Sequence, residues 1–174
     1  MAITLDEATS LLSRTPQTLA TLLRDLPDAW ARASQGPEDW SAFDVVWHLI
    51  EGEEANWIPR TRHILARGEA EAFPAFDRFA FARRSRSPRL DDALDLFAEA
   101  RRRSLDQLQA LHLGPADLER RGRHPELGPV TLGHLLSSWT VHDLNHMGQI
   151  VQALAHHQAE AVGPWRVYLA ILDR

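Results

Sequence analysis

Two histidines lie four residues apart in the segment TVHDLNHMGQI, residues 140–150. On a helix, His142 and His146 are one turn apart on the same side, so their imidazoles can reach a common point. Leucine, isoleucine and tryptophan at helical spacing share that face. Burying a polar group there without a partner costs about 2–7 kcal/mol. A bound cation removes part of that cost, and histidines at i and i+4 form a familiar half of a metal site.

A half-site needs a third ligand, and His48 is the best candidate. It lies within FDVVWHLIEGEEANW, at the border between an apolar and an acidic side of a predicted helix. His134 is a weaker candidate, because two helical turns separate it from His142. The other histidines fall near predicted helix ends or in loops, where exposed or capping roles are expected: His63, His112, His124, His156 and His157.

Two carboxylates lie within one turn of His48. We expect Asp44 or Glu51 to orient its imidazole or to accept a proton from a bound water. The alternatives are that Asp44 only caps its helix and that Glu51 is solvated. The segment HDLNH also matches the protease pattern H-E-x-x-H with Asp for Glu, but the downstream histidine of metzincins is absent.

Other polar and aromatic residues of the last long helix have predicted places near this centre. Asp143 leaves the helix about 100° from His142, so we expect it to be buried and paired with an arginine or a helix end, not to bind the ion. Asn145 and Gln149 are expected to line a pocket. Trp139 is expected to form part of its wall, with ordinary core packing as the alternative.

The elements that must position these residues are predicted to be helical throughout. Capping signals at Ser41 and Thr131 mark the starts of the second and fourth helices. The long segment 68–86 is expected to cross the length of a bundle, whereas 115–129 is expected to be a loop. These patterns predict an all-α four-helix bundle in one domain, residues 1–174, with helices at 5–26 (interrupted near Thr15-Pro16), 41–67 (kinked at Pro59), 88–111 and 131–157 and a short C-terminal helix.

Composition narrows the class of protein. The chain has 174 residues, a net charge of −5, 19 basic residues that are all arginine, and no cysteine. Nucleic-acid binding is disfavoured by this charge, and RRSRSPR at 83–89 is interpreted as a solvated loop. No apolar run is long enough to span a membrane, and the N-terminus lacks the features of a signal peptide, so a cytoplasmic location is predicted.

Four segments resemble the DinB/YfiT-like family: LLSRTPQTLATLL, DWSAFDVVWHLIEGE, LGHLLSSWTVHDLNHMGQI and GPWRVYL. The resemblance implies a four-helix bundle with a long crossover between helices two and three. It also implies one divalent ion, nickel or zinc in most members, bound by His48, His142 and His146. Many members are homodimers, and many are induced by stress.

Two functions follow from this resemblance and from the open coordination that three imidazoles leave on an ion. The first is a metal-dependent enzyme, either a low-molecular-weight thiol S-transferase or a hydrolase, acting on a small electrophilic substrate. Because the chain has no cysteine, a thiol would arrive as a cosubstrate. The alternative is a noncatalytic dimeric stress-related module in which a fourth ligand, such as Glu51, closes a structural metal site.

Overall fold

Long helical segments dominate the computed structural model, which describes residues 3–36 and 38–173. In chain order the helices are α1 (Leu5–Leu12), α2 (Thr15–Leu23), α3 (Asp28–Ala31), α4 (Ala42–Ala55), α5 (Trp57–Arg67), α6 (Ala80–Arg83), α7 (Leu90–Ala110), α8 (Pro115–Leu118) and α9 (Leu132–His156). An antiparallel hairpin of β1 (Arg121–His124) and β2 (Gly128–Thr131) precedes α9. Two 3-10 turns, Gly163–Tyr168 and Ala170–Asp173, follow α9.

The bundle consists of four helical segments. The first is α1 with α2, the second is α4 with α5, the third is α7 and the fourth is α9. Helix α4 packs against both α7 and α9, while α2 packs on α7 and α1 on α9. A long connection between α5 and α7 contains the one-turn helix α6 and a single β-bridge from Ala72 to Arg123. The predicted all-α four-helix bundle with its long crossover is therefore confirmed. Within the described residues, none of the helices combines the length and apolar character that crossing a bilayer requires.

Reciprocal capping fixes where the two site-bearing helices begin. Ser41 Oγ accepts a hydrogen bond from the backbone N–H of Asp44 at 3.2 Å, and Asp44 accepts one from the N–H of Ser41 at 3.3 Å. Thr131 Oγ1 accepts from the N–H of His134 at 3.1 Å, and His134 Nδ1 accepts in return. These boxes satisfy N–H groups that have no partner inside the helix, so both predicted starts are confirmed.

The second helical segment breaks earlier than the proline itself. Asn56, with φ −112° and ψ −67°, separates α4 from α5, whereas the sequence placed the kink at Pro59. Proline has no N–H for the carbonyl four residues earlier, and its ring clashes with that carbonyl. For Pro59 that carbonyl belongs to Ala55, the last residue of α4. The distortion therefore falls at residues 55–56.

Two further expectations about local structure are corrected. The segment 115–129 was expected to be a loop, but it contains α8 and most of the hairpin, in which Gly122 pairs with Val130. A Cβ at Gly122 would lie 2.6 Å from Ile64, so glycine is needed where β1 packs on α5. The predicted C-terminal helix consists of two 3-10 turns: Trp165, Val167 and Tyr168 of the first are exposed, whereas Leu172 of the second is buried.

A buried ionic cluster lies inside the bundle. The guanidinium of Arg101 on α7 donates to Asp143 on α9 at 2.6 and 2.9 Å and to Glu53 on α4 at 3.0 Å. It also donates to the backbone carbonyl of Leu12 at 2.8 Å. The side chains of Arg101, Glu53 and Asp143 are each no more than 1% exposed. Burial raises the pKa of Glu53, although Arg101 opposes that shift.

We predict that Arg101→Ala destabilises the fold by about 3–5 kcal/mol, because it leaves two carboxylates buried without their cation. Chemical denaturation followed by circular dichroism measures the loss. Arg102→Ala is the matched control. Arg102 is the next residue on α7 and forms only exposed ion pairs, so its loss should barely change the free energy of unfolding. Equal stability of the two variants would contradict the structural role of Arg101.

Candidate metal centre

Three histidines from two helices meet in the interior of the bundle. Nε2 of His48, on α4, lies 3.2 Å from Nε2 of His142, on α9. The ring of His146 is centred 4.3 Å from that of His142 and 4.7 Å from that of His48. One ligand atom from each residue lies within 4.8 Å of the others. The structure thus brings together the three residues that the sequence analysis selected as a metal site.

Hydrogen bonds orient two of these rings. Nδ1 of His48 faces the backbone carbonyl of Arg78 at 3.2 Å, and Nδ1 of His146 faces Oε1 of Gln149 at 2.9 Å. Because both partners are oxygen acceptors, each Nδ1 carries the ring hydrogen. Each Nε2 is then unprotonated, and its lone pair is directed into the cluster. Outer contacts of this kind fix the tautomer of metal-binding histidines in other proteins.

His142 completes a donor set that suits a cation. Its Nε2 faces the lone pair of His48, while its Nδ1 is buried and has no hydrogen-bond partner among the described residues. Nitrogen lone pairs directed at one another repel unless a proton or a cation lies between them. Neutral imidazole nitrogens are good ligands of zinc, nickel, copper and iron. The residues present therefore fit a divalent transition metal.

Burial keeps these imidazoles neutral. It lowers the pKa of His142 to about 2 and that of His48 to about 4, and neighbouring imidazoles add to both shifts. Burial also lowers the pKa of His146, although its hydrogen bond to Gln149 opposes the change. A protonated imidazole cannot bind a metal, so these environments hold the ligands in the form that can.

Aromatic rings enclose the centre. The ring of Trp40 is 4.7 Å from His48 and stacks on His146 at 6.0 Å, and Trp57 meets His142 edge to face at 5.0 Å. Trp40 was not predicted to lie near the histidines, because no local pattern links a residue just before α4 to the imidazoles of α9. Trp139 does not form part of the pocket wall, because it is fully buried, stacks on Trp57 and donates to Glu53 at 3.1 Å.

A cavity of about 1240 Å³ adjoins the three histidines. Asn145 and Gln149 line it, as expected from the sequence, and so does His134, which stands apart from the cluster. Arg60 and Arg78 also line it, but no sequence motif marked either residue. The wall further includes Trp40, Trp57, Phe73, Phe76, His124, Leu127, Val130, Leu144 and Met147.

Asp44 and Glu51 pair with arginines of the crossover and not with His48. Asp44 binds Arg86 at 3.0 Å in addition to capping α4, and Glu51 binds Arg84 at 3.1 Å. Neither touches His48 or lines the cavity, so the prediction that one of them orients the imidazole is corrected. A backbone carbonyl of the crossover does this instead. Asp143 is buried and paired with an arginine, the arrangement that its helical position suggested.

Fold and site together define a four-helix bundle with a buried triple-histidine centre beside a cavity. The chain belongs to the DinB superfamily, whose family model matches residues 11–150. Its structure is similar to that of YfiT from Bacillus subtilis, described as a probable metal-dependent hydrolase with an unusual four-helix bundle topology. The TM-score is 0.73 and the identity 20%, over 93% of this chain and 91% of that chain. No curated protein matches the sequence.

We predict that acid destabilises the metal-free protein through these histidines. In the unfolded chain they take up protons near pH 6.5, but in the fold His48 and His142 stay neutral to about 4 and about 2. The unfolded state therefore binds more protons below pH 6.5. Their contribution to stability is complete above that pH and is lost progressively as the pH falls.

Long-range ¹H–¹⁵N spectra of the chelator-treated protein test this prediction directly. The rings of His48 and His142 should remain neutral at pH 5.5, where the histidines of the unfolded chain are largely protonated. Denaturation curves over the same pH range should show a parallel fall in the free energy of unfolding. Protonation of either ring near pH 6.5 in the folded state would contradict it.

Proposed function

We propose that this protein is a metal-dependent enzyme that hydrolyses a small electrophilic substrate, with one divalent ion bound by His48, His142 and His146. The observation that carries the proposal is the convergence of three neutral imidazoles at the edge of a large cavity. The description of YfiT as a probable metal-dependent hydrolase supports it. Nickel and zinc are the expected ions, as the family resemblance suggests.

Three protein ligands favour catalysis over a purely structural role for the ion. Structural zinc sites are normally closed by four protein ligands, whereas catalytic sites keep a position open. Among the described residues the cluster contains three members, and Glu51, the candidate fourth ligand, is bound to Arg84. This arrangement supports the enzyme over the alternative, a noncatalytic stress-related module with a structural metal.

The residues around the centre have separable roles in this proposal. A divalent ion bound here would polarise a carbonyl and lower the pKa of a water or a thiol. The carbonyl of Arg78 and the amide of Gln149 hold the imidazoles in the ligating tautomer. Trp40 and Trp57 exclude bulk water from the rings, and Asn145 presents an amide to the cavity for hydrogen bonding to substrate.

Thiol S-transfer is the second candidate reaction. Most ligand pockets have volumes of about 300–1000 Å³, so a cavity of about 1240 Å³ has room for an electrophile together with a low-molecular-weight thiol. The chain itself has no cysteine to supply the thiol. A homodimer and a cytoplasmic location stay predictions. The exposed Trp165, Val167 and Tyr168 provide apolar surface that a second copy could cover.

We predict that the purified protein contains one transition-metal ion per chain, and that His48→Ala and His146→Ala lose it while keeping a folded bundle. Each change removes one of the three proposed ligands. Elemental mass spectrometry gives the stoichiometry, and circular dichroism gives the fold. His134→Ala is the matched control, since it removes a histidine of α9 that lines the same cavity outside the cluster. Unchanged metal content in His48→Ala would remove that residue from the site.

We predict that the metal-loaded protein turns over small activated esters or amides, and that chelation or His48→Ala reduces the rate to background. A parallel assay with monochlorobimane and a panel of thiols separates the two reactions. Turnover that requires a thiol identifies a transferase, and turnover in water alone identifies a hydrolase. Metal-independent rates in both assays, with a melting temperature that falls strongly on chelation, would instead indicate a structural metal.

A further inference from the structure

The cavity beside the histidines has an unusual balance of charge. Within the described part of the chain its wall contains Arg60 and Arg78 but no aspartate or glutamate. The whole chain carries a net charge of −5, so a generally basic surface does not explain why arginines but no carboxylates line the cavity. The acidic residues nearest to His48 in sequence, Asp44 and Glu51, are bound to arginines outside the wall.

The side chains of these cavity arginines contact aromatic rings but pair with no anion among the described residues. Among the arginines in residues 3–36 and 38–173, only the side chains of Arg60, Arg78 and Arg123 make no hydrogen bond or ion pair with another described residue. Two of these three line the cavity. Arg78 is exposed, whereas Arg60 is only partly exposed. Arg60 is therefore the cation for which solvent compensates least.

Arg60 is held in place without being neutralised. Its guanidinium lies over the ring of Phe73, 5.1 Å from the centroid, and Phe73 is 3% exposed. Burial lowers the pKa of Arg60, and only the charge of Glu126 opposes the shift. Arginine nevertheless stays charged at neutral pH. A partly desolvated cation without a hydrogen-bonded anion is costly, and an incoming carboxylate or phosphate would relieve that cost.

His124 provides a second donor on the same wall. Its Nδ1 accepts the backbone N–H groups of Glu126 and Leu127, each at 3.2 Å, so the ring hydrogen is on Nε2. The ring also meets Phe73 edge to face at 5.8 Å. Phe73 thus contacts both a cation and an N–H donor. This pairing is typical of a site for an anionic group, for which arginine supplies a planar fork of donors.

We infer that the substrate carries an anionic group, a carboxylate or a phosphate, that binds between Arg60 and His124. This inference rests on the proposed function, because it names the class of substrate for the same cavity. Arg60 lies one turn after Trp57 on α5, and Trp57 contacts His142. A molecule anchored at Arg60 can therefore lay its apolar part along Trp57 and direct its reactive group towards the histidines.

Binding of simple probes to the full-length protein tests the inference. The probes are benzoate, phenylphosphonate and the uncharged benzamide, with dissociation constants taken from ¹H–¹⁵N chemical-shift titrations. Wild type should bind one of the two anions roughly tenfold or more tightly than benzamide. The tighter anion identifies carboxylate or phosphate recognition. Arg60→Gln should abolish this preference, and Arg60→Lys should weaken it, because lysine keeps the charge but loses the fork.

Arg123→Gln is the matched control. Arg123 precedes His124 in β1, its side chain also makes no ion pair with a described residue, and it does not line the cavity. It should retain the preference of the wild type. Equal losses in Arg60→Gln and Arg123→Gln would show only a long-range charge effect and would overturn the inference, as would the absence of any preference in the wild type. If Arg60→Gln does not fold, an unweakened preference in Arg60→Lys overturns it.

A third variant separates this inference from the proposed function. His48→Ala lacks a metal ligand but keeps Arg60 and His124, so it should still prefer the anion. Persistence of the preference in a protein that contains no metal would leave the anion site intact while removing the metal-dependent reaction. Normal metal content together with an unchanged anion preference in Arg60→Gln would overturn the anion site but leave the proposed metal-dependent function standing.

Discussion

A single guanidinium links all four helical segments of the bundle. Arg101 of α7 binds Glu53 of α4, Asp143 of α9 and the last carbonyl of α1, that of Leu12. Buried charges are tolerated only when their partners are in place, so a slip of any of these helices along its axis would leave a charge or a carbonyl unpaired. The ionic cluster therefore restricts the relative positions of the helices far more narrowly than apolar packing alone.

That restriction extends to the metal centre through neighbouring residues. Asp143 directly follows His142, and Glu53 lies on the same helix as His48. Trp139 connects the two regions, since it donates to Glu53 and stacks on Trp57, whose ring meets His142. A register that satisfies Arg101 also brings the imidazoles into contact. The charged cluster and the neutral histidines thus depend on the same packing of α4 against α9.

The crossover between α5 and α7 separates acidic groups from the cavity. Arg84 and Arg86 bind Glu51 and Asp44, while the backbone carbonyl of Arg78 orients His48. Carboxylates beside the imidazoles would raise the pKa of each ring, and they would repel an anionic ligand and compete with it for the arginines of the wall. Tying them to arginines outside the wall leaves the cavity with neutral ligands and unpaired cations.

Local features of the sequence determined the helix starts and the histidine half-site. Capping at Ser41 and Thr131 and the spacing of His142 and His146 involve residues within one turn, so neighbours along the chain decide them. The sequence also singled out His48, since it is the one histidine within the predicted second helix that is far from the helix ends. It could not assign the partners of Asp44 and Glu51, because each finds an arginine in the crossover.

Only the tertiary structure decided which side chains surround the centre. His48 meets His142 across 94 residues of sequence, Trp139 meets Glu53 across 86, and Arg101 meets Asp143 across 42. Such pairs depend on helix register and rotation, which packing and buried charge set together and which no short pattern encodes. For the same reason Arg60 and His124 had no signature: they belong to different elements and share a wall only once β1 has packed on α5.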